Sequence, residues 1–251
     1  MKRISILFAL MTAIMTGCNN PVENAIKTQT VEFAKQTLLS DELPYTFDME
    51  ICLECPTEAT DAEALENMQR GITKLLFGSN LQTTDIEYAM AAYNESAVEH
   101  YREINEEYVA DIDEEWEFLL NWSESLKGNF LPEYKNMVSY TRYIYGYSGG
   151  AHGMDARTAA TFCLKTGEIV TESNLFIEGY EEKLTEALRR NLLLSIEDKE
   201  MLFETEIYPS SDFYLTAKGI TYIYQRYEIG PYVLGIIEVT IPWNEIQDIL
   251  K

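Results

Sequence analysis

The sequence is poor in basic residues and in long apolar segments, and each shortage excludes a class of protein. Only 19 Lys and Arg stand against 42 Asp and Glu among 251 residues, which gives a net charge of −23. A surface this acidic repels nucleic-acid phosphates and anionic lipid headgroups, so we expect no nucleic-acid partner. No apolar stretch reaches the roughly 20 residues that a membrane-spanning helix needs.

Residue types that carry catalysis or bind metals are also scarce. The chain has two histidines, His100 and His152, and four cysteines. Cys52 and Cys55 have zinc-ligand spacing, but no second Cys or His pair completes a site, and acidic neighbours disfavour a reactive thiolate. No G-x-S-x-G segment supplies a nucleophile. The sequence therefore predicts no catalytic residue, no metal and no cofactor; it favours a structural Cys52–Cys55 disulfide, or buried free thiols that include Cys163.

The N-terminus carries a targeting signal. Residues 1–17 combine Lys2 and Arg3 with a short apolar run, which is typical of a signal peptide. The run ends in Met15-Thr-Gly-Cys18, which resembles the bacterial lipobox, whose Cys is diacylated and becomes the mature N-terminus. The resemblance implies a lipid anchor on Cys18 and a place in the bacterial cell envelope, on the periplasmic or extracellular face of a membrane. The alternative is an ordinary secretory signal followed by an incidental Cys.

The remainder reads as a folded α+β protein, because 46% of the residues are apolar and helical and strand patterns are mixed without a βαβ rhythm. We expect a tether and lead-in over 18–44, an N-terminal α+β subdomain over 45–128 and an adjoining C-terminal α+β domain over 129–251, with antiparallel sheets. The predicted helices cover 62–77, 84–109 and 178–194, and the predicted strands cover 45–55, 115–127, 134–148, 155–164, 213–216, 219–224 and 233–241, before a short terminal helix from Trp243.

Acidic residues concentrate in one part of the chain. Between Glu95 and Glu124 there are eleven acidic residues and one arginine. Such a run is most often a solvated helix face. The alternative is a surface that attracts a basic partner, since clustered charge raises association rates.

The segment Tyr147–Gly153 is the strongest candidate binding loop. Its glycines allow positive φ angles and close approach to the backbone, and they surround a single histidine. The candidate binding residues are Tyr147, Gly149, Gly150, His152 and Gly153. Two hypotheses stay open: the loop contacts a partner, or His152 holds a tight turn together through hydrogen bonds. Catalysis by His152 is disfavoured because no nucleophile and orienting acid accompany it.

Several segments of the second half resemble, in order, the signature of one bacterial family of uncharacterised function. They are Tyr145-Gly-Tyr-Ser-Gly-Gly-Ala-His-Gly153, Phe162-Cys-Leu-Lys-Thr-Gly-Glu168, Asn174-Leu-Phe176, Phe213-Tyr-Leu-Thr-Ala-Lys-Gly-Ile220, Tyr227-Glu-Ile-Gly-Pro-Tyr232 and Val239-Thr-Ile-Pro-Trp243. That family forms the C-terminal domain of a lysozyme-sensing anti-sigma factor, accompanies polysaccharide-deacetylase domains and occurs in bacterial lipoproteins. This sequence shows neither the anti-sigma segment nor a deacetylase domain, so the resemblance implies an extracytoplasmic binding module.

Together these observations predict a lipid-anchored envelope protein that binds a partner and is not an enzyme. The expected partner is a basic extracellular or envelope protein, with lysozyme-like muramidases as the example that the resemblance supplies. The alternative is an envelope enzyme, either a cell-wall glycan hydrolase or one associated with deacetylation. A third possibility is a structural lipoprotein without a small ligand.

Overall fold

The computed structural model describes residues 26–251, and the predicted signal peptide and the lipidation site at Cys18 lie outside this range. Helices and two separate β-sheets build an α+β fold, which confirms the predicted fold class. Residues 26–251 contain no helix that is long and apolar enough to cross a bilayer.

Five strands form the larger sheet. They are β1 (Lys27–Leu38), β2 (Thr46–Glu58), β3 (Trp122–Phe130), β4 (Met137–Tyr147) and β5 (Met154–Cys163), in that spatial order. Neighbours pair antiparallel, except that β2 and β3 run parallel. Phe47, Met49, Ile51 and Leu53 of β2 are buried on one face, because successive side chains of a strand point to opposite sides.

Two helices, α1 (Ala62–Phe77) and α2 (Ile86–Tyr108), contribute to the core on the buried face of this sheet and connect β2 to β3. A parallel strand pair needs such a long crossover. Asp85 caps α2, because its side chain accepts a hydrogen bond from the backbone N–H of Tyr88. Gly78 ends α1 with a φ of 93°, a conformation that glycine adopts without strain.

A second core follows along the chain. It comprises α3 (Glu172–Leu175), α4 (Glu181–Ser195) and a three-stranded antiparallel sheet of β6 (Phe213–Leu215), β7 (Gly219–Tyr224) and β8 (Ile237–Pro242). Helix α4 packs against β8 through the fully buried Leu184, Leu188 and Leu192. The predicted terminal helix is instead two short 3-10 turns at 243–245 and 247–249.

The two cores divide the chain differently from the predicted domains. The first core runs from Ile26 to Leu164 and the second from Val170 to Ile249, so the predicted boundary at 128/129 falls inside the five-stranded sheet. The lead-in 18–44 is not wholly a tether, because Lys27–Leu38 pairs with β2 as an edge strand. Strand pairings between distant segments decide both points, and local sequence patterns do not encode them.

The second core covers the outer edge of β5. The Gln225 side chain accepts a hydrogen bond from the Arg157 N–H (3.1 Å) and donates one to the Arg157 carbonyl (2.6 Å). The Asp212 carboxylate accepts one from the Ala159 N–H (3.3 Å). Since an uncovered strand edge invites pairing with other chains, these contacts protect the sheet and fix the two cores against each other.

Candidate functional site

The glycine-rich segment forms the tip of the β4–β5 hairpin. Gly149 and Gly150 have φ angles of 82° and 93°, which explains why glycine occupies both positions. The Tyr147 hydroxyl donates a hydrogen bond to the Gly150 carbonyl at 3.1 Å and closes the turn. Gly153 is buried, and a Cβ there would lie 2.4 Å from the Tyr145 hydroxyl and 2.8 Å from the Gly146 carbonyl oxygen.

The tip packs against a loop of the second core. The His152 ring lies 4.2 Å from the Tyr232 ring, and the Tyr232 hydroxyl donates a hydrogen bond to the Gly153 carbonyl at 3.0 Å. The Nδ1 atom of His152 lies 3.1 Å from the same carbonyl oxygen. The segments 145–153 and 227–232, which the sequence singled out separately, therefore meet in space.

An ion pair completes this contact. Arg226 pairs with Asp155, and its guanidinium lies 4.2 Å above the Tyr232 ring. Asp155 also accepts a hydrogen bond from the Tyr143 hydroxyl at 3.1 Å. The side chains of Arg226 and Asp155 are only 19% and 11% exposed, and the Arg226 guanidinium lowers the pKa of the Asp155 carboxyl. We call the contact of residues 143–155 with Arg226 and Tyr232 the hairpin corner.

Beside the hairpin corner lies an open cleft of about 720 Å³, here called the sheet-end cleft. It lies between α2 and the end of the sheet where β2, β3 and β5 begin and β4 ends. Its lining includes Phe47, Tyr93, Ser96, His100, Trp122, Glu124, Ile144, Tyr147, Met154, Ala156, Gln225 and Arg226. Of the five predicted binding residues Tyr147 lines it, whereas Gly149, Gly150, His152 and Gly153 do not.

Glu124 is the acidic group of this cleft on the buried face of the sheet. Its carboxylate accepts a hydrogen bond from the Tyr93 hydroxyl at 2.6 Å, and no Lys, Arg or His of residues 26–251 lies within ion-pair distance of it. Burial raises the pKa of Glu124, and the Tyr93 hydrogen bond and the charge of Arg142 offset this only in part. The ionised form of a carboxylate in such surroundings is stabilised when a cation approaches it.

Aromatic rings line the same cleft as this carboxylate and pack against neighbouring rings. The Trp122 ring packs edge-on against the buried Tyr101 at 5.5 Å, and His100 lies 5.9 Å from Trp122. Phe47 stacks on Tyr101 at 5.6 Å. Aromatic faces next to a carboxylate favour a ligand that combines a positive charge with an apolar stem, as Lys and Arg side chains do.

Helix α2, which borders the cleft, carries much of the acidic run, and exposed aromatic side chains follow it along the chain. The acidic run follows α2 and continues into a 3-10 turn at Glu114–Leu120, where the sequence predicts a strand. Trp116 and Phe118 on this turn are 49% and 55% exposed, and their rings lie 6.1 Å apart. The β3 strand begins only two residues after this turn, so the turn leads directly to Trp122 in the cleft.

Neither histidine is arranged as a general base within the described part of the chain. His152 contacts the Gly153 carbonyl and the Tyr232 ring, and His100 contacts Trp122. Among residues 26–251 neither ring is hydrogen-bonded to a Ser, Cys or carboxylate group, and no cluster of three His, Cys, Asp or Glu side chains could hold a metal ion.

The predicted Cys52–Cys55 disulfide is absent, and both residues are free thiols. They lie three residues apart in the extended strand β2, so their side chains point to opposite faces and their Cα atoms are roughly 10 Å apart. Cys52 is exposed beside Glu32, whereas Cys55 is buried. Burial raises the pKa of Cys55 to about 12, with smaller effects from Glu54 and Cys52.

The sequence analysis missed Tyr93, Trp122 and Glu124 as site residues. One feature of the sequence could have indicated Glu124. In β3 the side chains of Trp122, Glu124 and Leu126 alternate onto one face, so a carboxylate occupies a position where apolar residues are expected. The position of the cleft depends on the packing of α2 over this strand, which the sequence pattern does not show.

Comparison with known proteins identifies the fold. Residues 173–244 match the model of a family described as a protein of unknown function, DUF3298. None of the curated proteins compared with the chain matches it. The hairpin tip at 149–153 lies before the matched residues, and the link to the lysozyme-sensing anti-sigma factor stays a prediction.

Two solved structures share the architecture. A crystal structure of a DUF3298 family member from Bacteroides fragilis is 22% identical, with a TM-score of 0.79, and the alignment covers 90% of this chain and 94% of that one. A DUF3298 family protein from Pseudomonas aeruginosa is 18% identical, with a TM-score of 0.61 and coverage of 90% and 95%. The chain therefore has the fold of DUF3298 proteins, and its residues 173–244 match that family's model.

Proposed function

We propose that the protein is a lipid-anchored, extracytoplasmic binding module that recognises a basic protein through the sheet-end cleft and the acidic surface beside it. The carboxylate of Glu124 carries the proposal, because it lies in a cleft with aromatic side chains and forms no ion pair with any described residue. The leader sequence and Cys18 supply the location, and the resemblance to a lysozyme-sensing family supplies muramidases as the first partners to test.

The cleft accepts one Lys or Arg side chain of the partner. Its ammonium or guanidinium group approaches Glu124, and its aliphatic stem packs against Trp122 and Ile144. The acidic residues of α2 attract the partner over longer distances, and Trp116 and Phe118 offer exposed aromatic contacts of the kind that dominate binding energy in protein interfaces.

The test measures binding of the purified protein to lysozyme and to cytochrome c, which is similarly basic and is not a muramidase. We expect a dissociation constant of about 1 μM or lower for lysozyme, and weaker binding as salt screens the acidic surface. Glu124→Gln should weaken binding about tenfold, because it removes the charge that faces the cation.

Glu182→Gln is the matched control, because Glu182 is an exposed acid at the start of α4 in the other core. It should leave the dissociation constant unchanged. Equal effects of the two substitutions would show that the cleft plays no specific part. Equal affinity for lysozyme and cytochrome c would support recognition of a basic protein and would contradict a preference for muramidases.

A further inference from the structure

A second cleft separates the two cores. Its volume is about 970 Å³, and it lies between α1, Arg142 and β5 of the first core and α3, Tyr180 and residues 209–213 of the second. We call it the inter-core cleft. A volume near 1,000 Å³ is ample for a small organic ligand. The proposed recognition of a basic protein does not involve this cleft.

The charges of the inter-core cleft are divided between its two walls. The first core contributes the cations of Lys74 and Arg142, and the second contributes the carboxylates of Glu172 and Asp212. Among residues 26–251, no ion pair within 4 Å joins any of these four groups. Opposite charges therefore face a shared space without neutralising each other directly.

Hydrogen bonds to the protein hold three of the four groups in position. The Arg142 Nε donates to the Leu76 carbonyl at 3.0 Å, at the end of α1. The Glu172 carboxylate accepts from the hydroxyls of Tyr222 (2.6 Å) and Tyr180 (2.9 Å). Asp212 is held on the edge of β5 by its hydrogen bond with Ala159. Charged groups fixed in advance bind a ligand with less loss of conformational freedom.

A buried polar group lies beside the cleft. The Thr158 hydroxyl on β5 is buried and has no hydrogen-bond partner within the described structure. Buried hydroxyls are normally hydrogen-bonded, so an unpartnered one beside a cleft is compatible with a ligand or a water molecule there. Thr158 lies directly opposite Arg142 in the β4–β5 pairing.

We propose that the inter-core cleft binds a small zwitterion, with its carboxylate towards Lys74 and Arg142 and its ammonium group towards Asp212 and Glu172. The ligand class is a short peptide or a free amino acid, because these molecules carry one positive and one negative charge. Each end forms charge-assisted hydrogen bonds, which are stronger than those between neutral groups.

Isothermal titration calorimetry of the purified protein with trialanine tests the proposal. We expect a dissociation constant of about 1 mM or lower. N-acetyl-trialanine and trialanine amide each lack one charge, and each should bind at least about tenfold more weakly. Alanine binding as tightly as trialanine would identify a free amino acid as the ligand, and weaker alanine binding would identify a peptide. Equal binding of all three tripeptides, or none below about 10 mM, would overturn the proposal.

Two substitutions test which wall of the cleft binds which charged end of the ligand. Lys74→Gln alters an exposed side chain, and Asp212→Asn keeps the oxygen that accepts from Ala159, so both variants should fold. Lys74→Gln should weaken trialanine and its N-acetyl form and leave the amide unchanged, whereas Asp212→Asn should weaken trialanine and the amide and leave the N-acetyl form unchanged.

Lys199→Gln, an exposed lysine outside the cleft, is the control and should change nothing. Equal effects of Lys74→Gln and Lys199→Gln on trialanine binding would overturn the proposal. Lys74 does not line the sheet-end cleft, so Lys74→Gln should not affect lysozyme binding, and failure of one proposal is distinguishable from failure of the other.

Discussion

The hairpin corner and the sheet-end cleft adjoin each other, but a carboxylate is ion-paired in the first and not in the second. At the corner Asp155 is paired with Arg226 and bonded by Tyr143, and its pKa is lowered. In the cleft Glu124 has one hydroxyl partner and no ion pair within the described residues, and its pKa is raised. The glycine-rich tip makes contacts that join the two cores, whereas the neighbouring cleft holds a carboxylate without an ion pair to any described residue, and to this carboxylate we assign the proposed recognition of a cation.

The largest expected effect comes from breaking the ion pair of the hairpin corner. Arg226→Ala leaves Asp155 largely buried without its cation, which should lower the free energy of unfolding by about 3 kcal/mol. The melting temperature should fall by roughly 6–12 °C for a protein of this size. Arg70→Ala is the control: its pair with Glu66 is exposed and should contribute no more than about 0.5 kcal/mol. Similar losses for both arginines would contradict the structural role of the corner.

The next largest loss of stability is expected when a side chain is introduced at the hairpin tip. Gly150 has a φ of 93° and no atom within 4 Å of an added Cβ, so Gly150→Val tests the backbone conformation without a steric clash. A β-branched residue is disfavoured there, and we expect a loss of about 2 kcal/mol, measured by urea unfolding. Gly146→Val, which alters a glycine with an ordinary φ near the end of β4, is a suitable comparison. A neutral Gly150→Val would show that the tip adopts another conformation.

His152→Ala decides between the two hypotheses for the predicted binding loop. The substitution removes the ring that packs against Tyr232, which should cost about 1 kcal/mol of stability. Lysozyme binding per folded molecule should stay unchanged, because His152 does not line the cleft. A variant that melts normally and loses binding would assign the loop to recognition instead.

The opposite pKa shifts of the two carboxyls predict opposite dependences on pH. The lowered pKa of Asp155 stabilises the fold above its ordinary value of 3.8, and this contribution disappears as the pH falls through the lower folded pKa. The raised pKa of Glu124 gives a contribution that is complete below 4.5 and is lost as the pH rises through the folded pKa. Glu124→Gln should therefore melt above the native protein at pH 7 and close to it at pH 4. A lower melting temperature at pH 7 would contradict the raised pKa.

The smallest effect is expected at Cys52. Because this thiol is exposed and unbridged, Cys52→Ser should change stability by less than about 0.5 kcal/mol. Cys55→Ser places a hydroxyl in the core and should cost about 1–3 kcal/mol. In the folded protein a thiol reagent should label Cys52 and leave Cys55 unmodified until unfolding. A disulfide between them in a mass spectrum would contradict the strand geometry.

Local patterns in the sequence determined much of this protein. Alternation in residues 45–55 and the 3.6-residue spacing in 62–77 predict β2 and α1, because burying one face of each element requires that periodicity. Charge and composition predict an acidic α+β protein, and the glycines of 149–150 predict a turn with positive φ angles. These properties depend only on neighbours along the chain.

Which distant residues meet depends on the tertiary structure. Strand pairing placed β1 to β5 in one sheet across the predicted domain boundary, and the extended form of β2 separated Cys52 from Cys55. The packing of α2 over β3 made Tyr93 and Glu124 neighbours at the cleft, and the second core brought Tyr232 onto His152. Each outcome depends on contacts between segments far apart in the chain, whose free energy comes from burial and pairing that no local pattern records.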